Sequence, residues 1–389
     1  MTRLRRHPEC QRRISHWDHA KPKPQSPEPC RVDSLEARDK LREKSFRDPC
    51  EFIAGVFLAF ALQLSFFLPE LSAGTPPKFI IGYAAMSARV VPLWLAEEQG
   101  ILAKYGVDSE QVFIRGAPTL VAGLTSGDIH FGSTGGTATL AAIAAGHDLK
   151  MVAAFSSRNT YDLVTKPSIK RPEELRGKRF GVTSIGGTVW MGIMLWLEHF
   201  GLDEQRDKIQ LQVIGDQSIQ MQALENGTID AAVLDGVFSR RLKQKGFNIV
   251  GEYSELKQLF TSQAIVVQGK FLQQRADRVE NLLKAQVEAI AFSLAPKNKP
   301  TVIRTFMRRL RVDAAAAEEG YADLHRAMDR KPYPSPEGLR NVQRLMALRS
   351  PKVGEVKIDN VIDNRIIRRL DESGFIDKAY AAQGMSSKP

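Results

Sequence analysis

Between residues 79 and 234 short apolar runs alternate with amphipathic stretches, and the alternation goes round twice in the same order. In the first round Phe79–Tyr83, Gln111–Ile114, Ile129–Phe131 and Met151–Phe155 read as buried strands, while 90–99, 118–126 and 137–145 read as helices. Pro92 and Pro118 suit helix starts, and Gly100, Gly127 and Gly146 suit helix ends. The second round has strands at Arg179–Val182, Gln210–Ile214 and Ile229–Leu234, with helices at Thr188–His199 and Gln217–Glu225. The echo extends to single residues. Leu124, Gly127 and Ile129 recur as Leu224, Gly227 and Ile229 at the same internal spacing, and Tyr105-Gly106-Val107-Asp108 recurs as Phe200-Gly201-Leu202-Asp203. Any two βα units look somewhat alike, but elements repeating in one order favour two similar lobes. Strand–helix alternation of this kind predicts an α/β chain with mostly parallel sheets covered by helices.

Segments 161–166 and 263–268 have the character of crossings between the lobes, and the remainder is helical over 278–294, 299–311, 314–328 and 336–348. Leu282, Leu283, Val287, Ile290 and Leu294 share one apolar face there. The expected division is 78–160 plus 264–389 for lobe 1 and 161–263 for lobe 2, with a cleft between them.

The N-terminal part reads differently. Residues 1–50 are rich in Lys and Arg with scattered Pro and no period, and are expected to be a disordered extension. Phe52–Leu68 carries no charge, follows Arg42, Lys44 and Arg47, and leads into Leu71-Ser72-Ala73-Gly74. A basic flank, an apolar core and a small-residue exit describe a secretory signal peptide over 51–73. A retained membrane anchor is the competing reading, since the run lies at the short edge for spanning a bilayer. The prefix is too long for a normal leader, and translation is expected to start near Val32 or Leu41. All three cysteines, Cys10, Cys30 and Cys50, precede the apolar run. The main body therefore has no disulfide, no thiolate-held metal and no cysteine nucleophile.

With 43% hydrophobic and 25% charged residues the chain has a real core. Its net charge of +11 raises the question of nucleic acid. No basic run is interleaved with aromatics and no helix-turn-helix pattern occurs, so no nucleic-acid partner is expected. The later histidines, His130, His147, His199 and His325, do not fall at metal-ligand spacing, and no metal or cofactor is expected.

At this point the sequence resembles a known family. The carrying segments are PLWLAEEQGILAKYGVD, LTSGDIHFG, RPEELRGKRFGVTSIGGTVW, LENGTIDAAVLDG and IDNVIDNRIIRRLDESGFID, spread over 79–380. In order and spacing they are similar to the periplasmic substrate-binding proteins of ABC importers, nitrate/sulfonate/taurine (NMT1/THI5-like) type. The resemblance implies a type II periplasmic-binding-protein fold, two lobes with a hinge and a central cleft.

Ligands of open α/β sheets sit beyond the carboxyl ends of the strands. That rule selects Tyr83, Ala84 and Ser87 after the first strand, Arg115 and Gly116 after the second, and Ser133, Thr134 and Gly135 after the third. Ser157 and Arg158 follow the fourth. In the second round it selects Ser184, Gly187, Thr188, Asp216 and Asp235. Glycines let a solute approach the backbone, and the helices that follow offer free N–H groups to an anion. The same residues also serve as ordinary helix caps. Arg115 and Arg158 are candidate anion partners or plain surface charges. Asp216 and Asp235 are candidate amine partners or caps, capping being the commoner role, and Tyr83, Tyr161 and Trp190 are candidate stacking groups, although a Trp on an amphipathic helix is more often core.

The resemblance implies a non-enzymatic, monomeric solute receptor of the periplasm. It would capture a small organic anion or zwitterion, sulfonate-, taurine-, nitrate- or carboxylate-like, and deliver it to a membrane permease and its ATPase. Two alternatives stay open: a binder of a thiamine-pyrimidine precursor, and a pyrimidine-precursor synthase-like enzyme. Cysteine chemistry belongs to the latter, and this body has none.

Overall fold

A computed structural model describes residues 78–386, and the expectations for 1–73 lie outside them. Ten strands form two five-stranded sheets. They are β1 (Phe79–Tyr83), β2 (Ser109–Phe113), β3 (Phe131–Thr134), β4 (Leu149–Arg158), β5 (Asp162–Thr165), β6 (Arg179–Val182), β7 (Gln210–Val213), β8 (Ala231–Leu234), β9 (Asn248–Gly251) and β10 (Leu259–Gln268). The first sheet has the order β2-β1-β3-β10-β4 and the second β7-β6-β8-β5-β9. Each sheet is therefore the other's copy, with three parallel strands, one antiparallel strand and an outer strand.

The antiparallel strands are the crossings. The chain leaves the first sheet at Arg158, and β5 enters the second antiparallel to both β8 and β9. It returns as β10, antiparallel to β3 and β4, with Ile265 opposite Ser133 and Ala264 opposite Ala154. A mostly parallel sheet was the expectation from alternation, and the structure corrects it to mixed sheets. Hydrophobic runs signal burial, not strand direction. Strand β10 begins at Leu259, ahead of residue 264 where the expected lobe boundary fell. The apolar run QAIVVQ is only its inner half, and the polar Thr261 and Ser262 are equally buried in it.

Helices cover both faces of both sheets. Successive strand residues go to opposite sides, so Ala231 and Val233 join one apolar cluster while Ala232 and Leu234 join the other. This two-sided burial is why the strands read as uninterrupted apolar runs. Pro92, Pro118 and Pro336 sit in the first turns of their helices, where the missing N–H is harmless. Gly127 ends the helix Ala117–Ser126 in a left-handed conformation (φ 91°) that other residues rarely adopt.

Lobe-to-lobe contact comes also from the C-terminal helices. Arg344 and Arg349, at the end of the helix Pro336–Ala347, pair with Glu198 (2.9 Å) and Glu204 (2.9 Å) beside the second sheet. No helix among the described residues is long and apolar enough to cross a membrane.

Candidate functional site

The carboxyl ends of the parallel strands in the two sheets face one another, and a cavity lies between them. From the first sheet it is lined by Ala84, Ala85 and Arg89 after β1, Ser133 and Thr134 of β3, and Ser262 and Gln263 of β10. Ala117 joins them from the neighbouring helix, and the second sheet contributes Tyr161, Thr183, Ser184, Gly187, Thr188 and Val189. The cavity volume is about 30 Å³.

Three helices begin at this cavity, Ala117–Ser126 and Gly136–Ala144 from the first sheet and Thr188–His199 from the second. Their N-caps, Gly116, Gly135 and Gly187, supply no side-chain cap to the first-turn N–H groups. The lobes meet closely here. A Cβ on Gly135 would stand 2.8 Å from Thr188 Oγ1, and one on Gly116 would stand 3.3 Å from the Ser184 side chain. Thr134 Oγ1 and Ser184 Oγ are buried and hydrogen-bond no protein atom. Ser133 is engaged, its hydroxyl accepting from the Gln263 amide.

Arg89 is the charged residue of the lining, 4% exposed, in the short turn that follows β1. Its guanidinium donates to the hydroxyls of Thr160 and Tyr161 on the crossing segment and lies 4.5 Å from the centre of the Tyr161 ring. Across the lobes it faces Asp235 Oδ1 at 3.3 Å. Burial opposes its charge, but Asp235 and Tyr161 more than offset this and hold its pKa above the ordinary value. Burial pushes the Tyr161 hydroxyl up to about 12, so it stays protonated. Asp235 is fully engaged, accepting from Thr160 (3.1 Å) and from the Gln217 amide (2.9 Å), while its N–H donates to Gln217 Oε1 (2.7 Å). Behind it, on the helix Ala314–Ala327, burial and then Asp235 raise Asp323 to about 7, although Arg326 pairs with it at 2.6 Å.

Of the residues singled out from sequence, Ala84, Ser133, Thr134, Tyr161, Ser184, Gly187 and Thr188 line the cavity. Gly116 and Gly135 mark the close approach of the lobes. The others lie elsewhere. Tyr83 alternates inward, packing on Trp94 and Phe113. Ser87 is buried at the start of the turn that carries Arg89. Arg115 and Arg158 are exposed. Ser157 lies within β4, which runs on past Phe155, and hydrogen-bonds Asp329. Asp216 caps the helix Gln217–Glu225 through the N–H groups of Ser218 (3.0 Å) and Ile219 (3.3 Å). Asp235 stands behind Arg89 and its oxygens are committed. Trp190 is a core residue, 3% exposed.

Sequence reasoning missed Arg89, Ser262 and Gln263. Each is a polar residue inside an apolar segment, which is the signal that was available. No group of His, Cys, Asp and Glu among the described residues is arranged to hold a metal ion.

Comparison with known proteins places this architecture. A family model described as NMT1/THI5 like matches residues 87–299. No curated protein sequence matches the chain. Among solved structures, the alkanesulfonate-binding protein SsuA of Xanthomonas axonopodis pv. citri, bound to MOPS, is similar with 19% identity and a TM-score of 0.62. The match covers 75% of this chain and 100% of that one. The periplasmic nitrate-binding protein NrtA of Synechocystis PCC 6803 is similar with 14% identity and a TM-score of 0.61, over 76% and 88% of the two chains. A desulfurization enzyme, DSZB, is also similar, at 15% identity and a TM-score of 0.56, over 76% and 99%. At these identities the likeness is one of fold.

Proposed function

The chain belongs to the NMT1/THI5-like family, and from that premise we propose that it is a solute-binding component of an ABC importer. In this reading it is an exported, periplasmic monomer that captures a small organic anion or zwitterion between its lobes and hands it to a membrane permease and its ATPase. The observation that carries the reading is the cavity itself, where uncapped helix starts from opposite lobes meet with free hydroxyls between them. Such a place attracts an anion through first-turn N–H groups and the helix dipole. Binding there also touches both lobes, so a solute with higher affinity for the closed form shifts the protein toward it.

A binding role is supported over an enzymatic one by the chemistry of the wall. The lining is alanine, valine, glycine, hydroxyls, an amide and one guanidinium, with no Cys, His, Asp or Glu among them. General acid–base catalysis draws mainly on the types that are missing, and a Ser or Thr nucleophile needs such a base beside it.

The test is a thermal-shift panel of alkanesulfonates, taurine, nitrate, carboxylates and aminopyrimidines on the folded body. A true ligand at a hundred times its Kd stabilises by about 2.7 kcal/mol, a shift of several degrees. A response confined to aminopyrimidines would move the reading to precursor uptake, and a flat panel would remove it.

A further inference from the structure

The cleft's buried cation is already answered. Arg89 faces Asp235 at 3.3 Å from the opposite lobe, and both side chains are almost fully buried. The next carboxylate, Asp323, has its own partner in Arg326 at 2.6 Å. What the cavity then presents to a solute is a set of neutral donors: Thr134 and Ser184 hydroxyls without protein partners, Thr188, and the N–H groups of three helix starts.

We infer that Asp235 sets the charge class of the solute: by neutralising Arg89 it makes the cleft a net-neutral donor cage that selects monoanions over dianions. The inference rests on the reading of the cleft as a solute site. Its physical basis is the different growth of two effects. The cost of stripping water from an ion rises with the square of its charge. The attraction of fixed neutral dipoles rises only in proportion to the charge. A cage of neutral donors can therefore compensate one negative charge far more readily than two. An unmatched guanidinium in the wall would alter that balance, because a full charge in a poorly screened site acts on a dianion with twice the strength. Asp235 removes that possibility without touching the solute. It is a positioning residue and acts through Arg89.

Sulfate and methanesulfonate give the cleanest probe, since they are nearly the same shape and differ by one charge. Isothermal titration of both ions at pH 8 with the folded body gives an affinity ratio for each variant. The wild type is expected to prefer methanesulfonate. Asp235→Asn leaves Arg89 unmatched and is expected to move the ratio toward sulfate by about tenfold or more, the size of a one-unit change in local electrostatic free energy. The double variant Arg89→Gln/Asp235→Asn is neutral again and is expected to restore the wild-type ratio, whatever happens to absolute affinity. A merely structural role for Asp235 would weaken both ions together.

An unmoved ratio in Asp235→Asn overturns the inference. If that variant does not fold, Arg89→Gln decides in its place: Asp235 is then the unmatched charge, a ratio moved further toward methanesulfonate supports charge matching, and an unmoved ratio overturns it. A wild type that prefers sulfate to methanesulfonate, or that binds neither ion at millimolar concentration while responding to other anions of the panel, also overturns it. A wild type that binds no anion of any kind removes the proposed function, and the inference falls with it.

Discussion

The residues that follow β3 and β8 occupy the same place in two copies of one topology, yet they do opposite things. After β3 comes Gly135, which opens a helix start toward the cavity, and after β8 comes Asp235, which closes on Arg89. The strand ends differ in the same sense. Ser133 and Thr134 line the cavity, while Val233 and Leu234 are fully buried. The loops after β1 and β6 contribute at matching positions, Ala84, Ala85 and Arg89 from one and Thr183, Ser184 and Thr188 from the other. Hydroxyls in one lobe are therefore answered by alanines and a cation in the other. Two copies of one topology supply similar walls, and different side chains at equivalent positions make them complementary halves.

The largest expected break of this comparison is Gly135→Asp, which gives the first lobe the residue of the second. Its Cβ would press on Thr188 Oγ1 at 2.8 Å and on the Thr261 carbonyl at 3.1 Å. Its carboxylate would also compete with an anionic solute for the same helix start. Solute affinity is expected to fall by about a hundredfold, or about 2.7 kcal/mol, while the fold of each lobe persists. Titration of whichever ligand the panel identifies, with circular dichroism as the folding control, checks this. An affinity within a factor of a few of wild type would mean that the solute does not use this helix start.

A second comparison lies at the opposite ends of the same strands. Next to Ile129 and Ile229 stand His130 and Asp230, and each accepts a hydrogen bond from the first residues of the adjacent strand. Ile80 N–H donates to His130 Nδ1 at 3.0 Å, and Arg179 N–H donates to Asp230 Oδ2 at 3.0 Å. The acid has further partners, Arg179 Nε at 2.8 Å and Lys166 Nζ at 2.6 Å. Removing it strands two partly buried cations, so Asp230→Ala is expected to cost about 2 kcal/mol. His130→Ala loses one neutral hydrogen bond and some ring contact, and about 1 kcal/mol is expected. Urea denaturation of the two variants measures the difference, and equal losses would mean that the extra cations contribute nothing.

These details show why the two-lobed plan was legible in the sequence and the site only partly so. Gly127 and Gly227 both adopt left-handed backbone, and the N–H groups of Ile129 and Ile229 reach back to Gly123 and Ala223 in the same way. A local device of that kind leaves a local trace, and Leu-x-x-Gly-x-Ile is that trace. Ser133, Thr134, Ser184, Gly187 and Thr188 were legible for the same reason, since a strand end followed by a helix start is a local pattern. Arg89 was not. It stands in an apolar stretch that reads as a helix entry, and its meaning comes from Asp235, a residue far along the chain. Gln263 was hidden inside a strand that looks wholly apolar at its other end. The antiparallel direction of β5 and β10 was also hidden, because burial on two faces erases the periodicity that would distinguish orientations. Even glycine placement needs the partner helix. Gly132 has Leu124 where a Cβ would go, at 2.5 Å, and the equivalent strand position in the other lobe is an alanine, Ala232.

The smallest expected effect separates the lobes by acid. Burial first, and Arg275 second, hold the His130 pKa below its usual value. The folded lobe therefore binds fewer protons at this site than the unfolded chain does. Its contribution is complete above about pH 6.5, the ordinary histidine value, and is lost as pH falls below it. Asp230 behaves alike but in a lower window. Arg179 holds its carboxyl well below the usual carboxylate range, so its contribution persists above about pH 4 and is lost only in stronger acid. Asp323 has the opposite sign, since burial raises it to about 7 and its ionisation weakens the fold as pH rises toward that value. The whole-protein curve mixes these groups, and the informative quantity is a difference. Asparagine offers a carbonyl oxygen near the position of His130 Nδ1 and does not titrate. The stability of wild type minus that of His130→Asn should shrink between pH 7 and pH 5 and then level off. The corresponding difference for Asp230→Asn should stay flat over that interval and shrink only below about pH 4. Parallel curves for the two variants would mean that the two lobes, built on one plan, also answer acid as one.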